Sequence, residues 1–369
     1  MPLLFFFPMA VYILPNNQTQ IKMLLDYYKN KKVFLTGHTG FKGTWLCRLL
    51  LQAGAEITGY ALAPPTNPSL FAQLGMEKDI HSITGNVIDG KALVRAVQDA
   101  KPDFVFHMAA QPLVRLSYRE PAATYETNVM GTVNILEAVR LTQSIKSFVN
   151  ITTDKVYENR EWHWGYRENE NLCGFDPYSG SKSCSELVTY SYRNSFFGNK
   201  DAPPISTARS GNVLGGGDYA EDRIIPDCIR AVNAGKEIVV RNPRSVRPYQ
   251  HVLECLYGYL LLAEKQSYDK TVEGAYNFGP GDEGCTANGE LAEMFCTAWG
   301  ASATWRFTED VGPHEVDFLK LDCSKAKNIL GWNPRWNIQI AVNKTVEFAK
   351  SQSDDERLAC IDWQIQEYF

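Results

Sequence analysis

The segment from Lys32 to Gly54 constrains the fold of this chain more than any other. Its apolar run Val33–Thr36 predicts a strand, and the apolar residues that recur at helical spacing after position 44 predict a helix. Between them stand three glycines at intervals of three residues: Gly37, Gly40 and Gly43. Backbone N–H groups and the positive end of the helix dipole converge at such a turn, and the missing Cβ atoms let a pyrophosphate approach. We interpret the segment as a dinucleotide-binding turn, with an ordinary strand–helix turn as the alternative.

Composition and charge limit the classes of function. The 369 residues are 44% apolar and 21% charged, which is enough for one large domain or two lobes. The net charge of -5 and the lack of a basic stripe argue against a nucleic-acid partner. The 9 cysteines and 6 histidines are scattered without a C-x-x-C or H-E-x-x-H pattern. We therefore expect no metal site and a reducing, cytoplasmic location.

Residues 1–29 differ from the rest and are predicted to be a loose N-terminal extension. The apolar run Leu3–Leu14 is too short to span a bilayer and is interrupted by Pro8. No Lys or Arg precedes this run, so it does not fit a signal peptide, and we expect no membrane partner. A start codon assigned too early is a simple explanation, with Met23 as the alternative start.

Further apolar segments follow the first strand and alternate with helical patterns. They predict strands at Ile57–Leu62, Ile80–Val87, Asp103–Met108 and Ser147–Thr153. Such alternation is typical of an α/β fold, here a Rossmann-type doubly wound parallel sheet. From Ser206 the predicted elements are shorter, which indicates a smaller, mixed C-terminal lobe over the carboxyl edge of the sheet. We therefore assign residues 30–205 predominantly to dinucleotide binding and residues 206–369 predominantly to substrate binding, with some segments returning to the sheet.

The end of the second predicted strand leaves the identity of the cofactor open. NAD enzymes place an Asp or Glu near this strand end to bond the adenosine ribose, whereas an Arg accommodates the 2′-phosphate of NADP. The segment Gly59–Pro64 contains none of these residue types. The residues alone therefore do not distinguish NAD from NADP.

Tyr178 and Lys182 are the strongest candidates for catalysis. They stand four apart at the start of an apolar helical pattern, so they share one helix face. A neighbouring ammonium and a positive nicotinamide both favour a tyrosinate, which could take a proton from a sugar hydroxyl. Thr153 ends the fifth predicted strand, and the acid Asp154 and the base Lys155 follow it. The alternatives are an exposed Tyr–Lys pair and a solvated Asp–Lys pair.

Several motifs together indicate a family. The chain resembles the nucleotide-sugar 4,6-dehydratases of the extended short-chain dehydrogenase/reductase superfamily over residues 30–340. The resemblance rests on the stretches Thr36–Gly43, His107–Gln111, Thr153–Asn159, Asp176–Lys182, Gly211–Gly217, Arg247–His251 and Leu319–Lys327. Lys155, where other members carry Glu, is typical of the branch that acts on CDP-glucose. The departures are Asn86, where the family usually has an adenine-binding Asp, and Thr153 in place of the usual Ser.

The resemblance implies an NAD-assisted, redox-neutral dehydration in deoxysugar biosynthesis. Thr153, Tyr178 and Lys182 would oxidise the sugar at C4, with Tyr178 as the base. Asp154 and Lys155 would then eliminate water across C5 and C6, after which the hydride returns to C6. Lys155 must be neutral to remove the C5 proton, and Asp154 would protonate the departing hydroxyl.

The resemblance also implies binding residues. For NAD they are Gly37, His38, Thr39, Gly40, Phe41, Lys42, Gly43, Ala109, Ala110 and Gln111, together with Tyr178 and Lys182. Asn212 and Arg247 are candidates for the substrate diphosphate, because the Arg fork fits phosphate oxygens. His251, Asn277 and His314 are further candidates for substrate binding. The alternative is that these side chains are polar without binding a ligand.

Two other functions are compatible with the motifs. A nucleotide-sugar 4-epimerase would need Thr153, Tyr178 and Lys182 but not the Asp–Lys pair. A catalytically idle, nucleotide-binding relative would explain Asn86 and the missing acid of the second strand, although the intact catalytic motifs argue against it.

The resemblance further implies a homodimer. Its interface would be formed by the predicted helices Glu120–Thr142 and Asp176–Phe197, which flank the strand that carries the catalytic residues. Apolar side chains such as Leu136, Val139 and Val188 would be buried between the subunits.

Overall fold

A parallel sheet forms the centre of the molecule. The computed structural model describes residues 17–308 and 318–369, with side chains from residue 22 onward. Its strands are β1 Lys32–Thr36, β2 Glu56–Ala61, β3 His81–Thr84, β4 Phe104–His107, β5 Ser147–Ile151, β6 Ile205–Ser210, β7 Asn212–Leu214, β8 Ile238–Val240, β9 Val246–His251, β10 Ala275–Phe278, β11 Cys285–Ala287 and β12 Trp305–Phe307. The large sheet has 7 strands in the order β10-β6-β5-β4-β1-β2-β3, all parallel. The prediction of a Rossmann-type parallel sheet is confirmed.

The strand order of this sheet reverses between β1 and β4. The chain runs outward from β1 through β2 to β3, and later from β4 in the other direction through β5 and β6 to β10. Open α/β sheets bind ligands in the crevice at such a reversal, beyond the carboxyl ends of the strands. In this molecule those ends include Thr36, His107, Ile151 and Ser210.

Helices cover both faces of the sheet. They are α1 Asn17–Tyr28, α2 Phe41–Gln52, α3 Leu70–Gln73, α4 Gly90–Ala100, α5 Val114–Arg119, α6 Pro121–Tyr125, α7 Gly131–Arg140, α8 Pro177–Phe196, α9 Ile224–Asn233, α10 Val252–Tyr268, α11 Asn288–Trp299, α12 Ile338–Ala349 and α13 Asp354–Tyr368. Alternate strand residues pack on opposite faces: Val33 and Leu35 lie in the core with α2 and α10, whereas Phe34 lies in the core with α4 and α7. Within the described ranges, no helix has the length and apolar character needed to cross a membrane.

The predicted helix Glu120–Thr142 is divided in the structure. α6 begins at Pro121, and Glu120 before it has an extended φ of -129°, because a residue that precedes proline disfavours the helical conformation. A π-helical turn, Glu126–Met130, then joins α6 to α7. This turn shifts the phase of α7 relative to α6, so apolar spacing counted across it does not identify the exposed face.

The N-terminal segment is partly ordered. On α1, Leu24 and Tyr28 are both fully buried, and the Tyr28 hydroxyl donates to the Leu260 carbonyl of α10 at 2.8 Å. The prediction of a loose extension through residue 29 is therefore wrong for α1. Among the described side chains of α1, Leu24 and Tyr28 are fully buried, and Leu25 and Tyr27 pack partly buried against the same core. This short set of contacts at the end of the helix is too brief for a periodicity to be evident in the sequence. Residues 1–16, including most of the predicted apolar run, lie outside the described residues.

Two small sheets build the C-terminal lobe, one of β7, β9 and β11 and the other of β8 and β12. They share an apolar core with α9, α11 and α12 that includes Ile225, Tyr249, Phe295 and Val342. β6 and β10, in contrast, belong to the large sheet. The chain after residue 205 therefore alternates between the sheet and the lobe, and the cleft between them is built from both.

Candidate active site

A cavity of about 280 Å³ lies at the carboxyl edge of the large sheet. Its lining includes Lys42, Thr152–Lys155 and Tyr178 from the sheet side, Ser210–Gly215 after β6, and Arg223–Ile229, Ile238–Asn242, Arg247 and Asn288 from the lobe. The predicted catalytic segment and the predicted catalytic tyrosine thus line the same cavity, where sheet and lobe meet.

The glycine turn is shaped by close backbone contacts. Gly37 has φ +77°, and a Cβ placed there would lie 2.7 Å from the Ala109 nitrogen. A Cβ on Gly43 would lie 2.2 Å from the Gly37 oxygen, so α2 can approach β1 only without a side chain. Gly40 caps α2 without any side-chain acceptor for the first helical N–H groups. The turn therefore has the shape and the open donors of a pyrophosphate cradle.

The neighbouring strand end is fixed by two polar residues. The Thr36 hydroxyl oxygen lies 2.8 Å from His107 Nδ1 and accepts hydrogen bonds from the Met108 and Ala109 amides. Further on, the Gln111 amide donates to Asn128 Oδ1 at 2.8 Å. These bonds hold the backbone of residues 108–111, including Ala110, beside the glycine turn, where a planar cofactor ring could lie across small side chains.

The side chains of the glycine turn have different surroundings. His38 is buried against Gly59 and lies 2.8 Å from Ser82 Oγ, and burial lowers its pKa to about 4. The Thr39 hydroxyl donates to the Leu62 carbonyl. Phe41 packs against the core, whereas the Lys42 ammonium lines the cavity. Of the predicted cofactor residues in this turn, His38 and Phe41 thus contribute packing beneath the turn.

The position of the usual adenine-binding acid is occupied by Asn86. Its Oδ1 accepts a hydrogen bond from the Ile88 amide at 3.2 Å, and the Tyr60 hydroxyl donates to its carbonyl at 3.3 Å. Asn86 therefore organises its own loop, and it brings no negative charge to this end of the sheet.

Tyr178, Thr153 and Lys182 meet at the ends of β5 and α8. Tyr178 is 9% exposed, and burial raises its pKa to about 12, which a hydrogen bond with Thr153 counteracts in part. The Lys182 ammonium donates to the Ile151 carbonyl at 3.1 Å, and burial lowers its pKa to about 7, with Lys42 adding to the effect. Contrary to the expectation that the ammonium favours a tyrosinate, burial dominates the ionisation of Tyr178.

Asp154 and Lys155 lie on a short 3-10 turn, Asp154–Val156, which Thr153 caps. Asp154 is 1% exposed, and its Oδ1 accepts a hydrogen bond from the Thr153 hydroxyl at 3.0 Å. Burial raises its pKa, against the opposing effects of Lys155, Thr153, Arg247 and Lys42. Its Oδ2 has no hydrogen-bond partner among the described residues. This carboxyl group can therefore carry a proton and present it to a ligand in the cavity.

The predicted substrate residues separate into two groups. Asn212 and Arg247 line the cavity. His251 does not: it is fully buried between Trp45 and Trp336, and its Nδ1 accepts from the Leu253 amide at the start of α10.

Asn277 is also absent from the cavity lining. It is fully buried; its Oδ1 accepts from Tyr157 at 2.7 Å, and its Nδ2 donates to the carbonyls of Tyr166 and Asp322. The substrate-binding predictions for His251 and Asn277 are therefore wrong, because both side chains hold the core together. His314 lies outside the described residues.

Comparison with known proteins assigns the chain to a family. A family model described as GDP-mannose 4,6 dehydratase matches residues 34–345. The chain belongs to the GDP-mannose 4,6 dehydratase family. Within the wider group of dehydratases, CDP-glucose 4,6-dehydratase of Salmonella typhimurium strain LT2 is 46% identical over 350 residues, which cover 93% of this chain and 97% of the relative.

Solved structures of nucleotide-sugar enzymes share the fold of this GDP-mannose 4,6 dehydratase family member. UDP-glucuronic acid 4-epimerase from Bacillus cereus, in complex with UDP-glucuronic acid and NAD, has a TM-score of 0.75 at 23% identity and covers 86% of this chain and 98% of its own. dTDP-glucose 4,6-dehydratase from Bacillus anthracis, in complex with NAD, has a TM-score of 0.69 at 22% identity. The match covers 85% of this chain and 95% of that enzyme.

The sequence analysis missed three arginines that line the cavity of this family member: Arg115, Arg223 and Arg241. Arg223 donates to Asp218 at 2.8 Å, and Arg241 donates to Asp222 at 2.7 Å. They come from α5, the start of α9 and the end of β8, so no local motif connects them. Together with Arg247 they bring four guanidinium groups to the cavity lining, which also contains the carboxylates of Asp218, Asp222 and Asp227 that pair with Arg223 and Arg241.

Proposed function

We propose that the chain is an NAD-dependent CDP-glucose 4,6-dehydratase, a hydro-lyase that forms CDP-4-keto-6-deoxyglucose. The observation that carries the proposal is the placement of Asp154 and Lys155 on the turn that follows Thr153, in the cavity that Tyr178 also lines. An acid and a base beside an oxidising Tyr–Lys pair are what dehydration requires in addition to oxidation. The 46% identity to the Salmonella enzyme supports the choice of CDP-glucose.

The NAD site is formed by the glycine turn and the fixed backbone of residues 108–111. The first N–H groups of α2 would hold the pyrophosphate, and Tyr178 and Lys182 would face the nicotinamide. NAD, when bound, accepts a hydride from C4 of the sugar and later returns it to C6. Because position 86 is an asparagine, its side chain would contact the adenosine without a negative charge.

Tyr178 and Thr153 act on the C4 hydroxyl. Tyr178 takes its proton, and Thr153 shares a hydrogen bond with the same oxygen, which fixes the hydroxyl for oxidation. Because burial holds the pKa of Tyr178 at about 12, the proton must be taken within a closed site whose positive groups compensate the developing tyrosinate. Arg223, whose charge opposes the rise in the pKa of Tyr178, supplies positive charge there, and Lys42 also lines the cavity.

Asp154 and Lys155 act after C4 has become a ketone, which acidifies the proton on C5. Neutral Lys155 removes that proton, the electron pair forms the C5–C6 double bond, and the C6 hydroxyl leaves as water with a proton from Asp154. The raised pKa of Asp154 supports its role as the acid, since a buried carboxyl keeps its proton more readily. The return of the proton to C5 and of hydride to C6 completes a redox-neutral cycle.

The substrate diphosphate would lie beside Asn212 and Arg247, which both line the cavity. Arg247 is 4% exposed, so its guanidinium is held in position before a ligand binds. Asn212 stands at the start of β7 and pairs with Tyr249 of β9, two residues after Arg247. The two side chains are therefore presented from adjacent strands, as two-point binding of a diphosphate requires.

Mass spectrometry of the reaction with CDP-glucose and NAD tests the proposal. We expect a product lighter than the substrate by one water. A product of unchanged mass with inverted C4 would instead support a nucleotide-sugar 4-epimerase, and nucleotide binding without turnover of any nucleotide sugar would support an idle relative. UDP-glucose serves as the matched substrate, since only its base differs from that of CDP-glucose, and dTDP-glucose changes both the base and the 2′-hydroxyl of the ribose.

The proposal includes a cytoplasmic homodimer. All 9 cysteines are free thiols, which suits a reducing compartment.

Leu136 and Val139, assigned to the interface from the sequence, are 0% and 1% exposed, so that assignment is wrong. The exposed large apolar residues of α6, α8 and the π-helical turn are instead Tyr125, Met130, Leu187, Tyr190 and Phe196. We propose that the same surface of a second subunit covers these residues, because helices α6 and α8 pack side by side and present them together.

Substitution on this surface should separate the subunits. Leu187 is 53% exposed, and we expect Leu187→Glu to weaken dimerisation by at least about tenfold, measured as mass by light scattering over a dilution series. Phe307→Glu, at a 66% exposed position on β12, is the matched control and should leave the dimer intact. A monomeric wild type, or a Leu187→Glu dimer as tight as the wild type, would refute this interface.

A further inference from the structure

A buried carboxylate lies directly behind the catalytic segment. Glu186 stands on α8 one helical turn after Lys182 and is 3% exposed. Its carboxylate accepts hydrogen bonds from the Thr152 hydroxyl at 2.5 Å and the Thr207 hydroxyl at 2.7 Å. It also accepts two from the Arg209 guanidinium, from Nε at 2.8 Å and from the Nη2 group at 2.9 Å. The proposed mechanism gives this group no role.

Arg209 is held as firmly as Glu186. It is 3% exposed, and its remaining Nη1 group donates to the Tyr157 hydroxyl at 2.8 Å and the Glu168 carbonyl at 3.0 Å. Tyr157 in turn donates to Asn277, which is bonded to the backbone on two further sides. The ion pair is thus fixed between β5, β6, β10 and α8 and has no freedom to reorient.

Net stability is a poor explanation for such a pair. A buried ion pair often contributes no more to folding than apolar side chains of similar size, because both charges must leave water. Although burial alone would raise the pKa of Glu186, the charge and hydrogen bonds of Arg209 hold it below its usual value, so the carboxylate stays ionised. What a fully bonded, ionised carboxylate does provide is a rigid acceptor at a defined place.

The Glu186 carboxylate lies between the Thr153–Asp154 turn and helix α8, which carries Tyr178. Thr152 immediately precedes Thr153, and its amide donates to the Ala208 carbonyl of β6 while its hydroxyl is held by Glu186. Thr152 is therefore fixed at both backbone and side chain where β5 ends and the Thr153–Asp154 turn begins. Glu186 belongs to the same helix as Tyr178 and Lys182, so one carboxylate relates the turn to the helix.

We propose that Glu186, oriented by Arg209, is a positioning residue that sets the Thr153–Asp154 turn against Tyr178 through its hydrogen bond to Thr152. The inference rests on the proposed dehydratase function for its kinetic consequences, but the positioning itself does not depend on the substrate. The hydroxyl of Thr207 bonds the other oxygen of the same carboxylate from β6, away from the catalytic turn. The two threonines therefore form a matched pair.

The test compares Thr152→Val with Thr207→Val, because each removes one hydrogen bond to Glu186 and keeps the shape of the side chain. Both variants should lose similar thermal stability. Thr152→Val should lower kcat by at least about tenfold with KM for CDP-glucose little changed, since small displacements of reacting groups cost rate rather than binding. Thr207→Val should keep kcat within about twofold of the wild type, and Thr152→Ser, which restores the hydroxyl, should recover most of the rate.

Hydrogen exchange gives a readout that needs no activity. Thr152→Val should increase amide exchange in the peptide covering residues 153–157, whereas Thr207→Val should not. Equal losses of kcat, or equal exchange in that peptide, for the two valine variants would show a merely structural role and overturn the proposal. An inactive wild type would refute the proposed function instead, and the exchange comparison would still decide whether Glu186 positions the turn.

Discussion

Replacing Tyr178 by phenylalanine should reduce turnover of CDP-glucose by about a thousandfold, because loss of a positioned general base typically costs 10²–10⁴ in rate. The first bond to change is the O–H bond at C4, so neither oxidation nor any later step can proceed. We expect no absorbance of reduced nicotinamide and no dehydrated product in a stopped reaction. The two absences together distinguish a block at oxidation from a block at elimination.

Tyr178→Phe is a clean substitution in this site. Tyr178 is 9% exposed and opens α8 with its backbone amide bonded to Ser117, so the ring should keep its place without the hydroxyl. Tyr118→Phe on the neighbouring α5, where the side chain is 39% exposed, is the matched control and should leave the rate unchanged. More than a tenth of wild-type activity in Tyr178→Phe would mean that Thr153 or a water takes the C4 proton, and Tyr178 would lose its assigned role.

Local patterns predicted the parts of the molecule that are themselves local. The turn Gly37–Gly43 and the pair Tyr178 and Lys182 each depend on spacing within one element, and Lys42 of the turn and Tyr178 of the pair line the same cavity. The parallel sheet also followed from alternation along the chain. The cavity's other wall, with Arg115, Arg223 and Arg241, is assembled from distant segments, so no spacing rule could have indicated it.

The wrong predictions have a common physical origin. His251 and Asn277 are polar residues in family motifs, yet each satisfies buried backbone groups of its own surroundings. A polar side chain near a strand end can bind a ligand or a neighbouring backbone group, and only tertiary packing decides between them. Apolar residues have the same ambiguity. Leu136 was predicted on an exposed helix face from apolar spacing, but the π-helical turn before α7 changes which face of the helix is exposed, and Leu136 is fully buried.

Replacing Lys155 by alanine should stop the reaction after C4 oxidation. Without a base for the C5 proton, elimination should slow by about a hundredfold or more, while Tyr178 and Thr153 still carry out the first step. Reduced nicotinamide should then accumulate on the enzyme and be visible by its absorbance, with little dehydrated product. Exchange of the C5 proton with deuterated solvent should fall to the same extent. This pattern is opposite to the one expected for Tyr178→Phe.

Lys155→Arg separates a base from an orienting charge. Arginine keeps the positive charge and the donors of lysine but stays protonated at all accessible pH values, so it cannot accept the C5 proton. If Lys155 is the base, Lys155→Arg should stall after oxidation as Lys155→Ala does, with C5 exchange lost in both. If Lys155 only orients Asp154 or the sugar, Lys155→Arg should recover dehydration, and Lys155→Ala should slow oxidation and elimination alike while C5 exchange keeps pace with oxidation. That second result would remove Lys155 from the catalytic residues and leave Asp154 or a bound water to take the C5 proton.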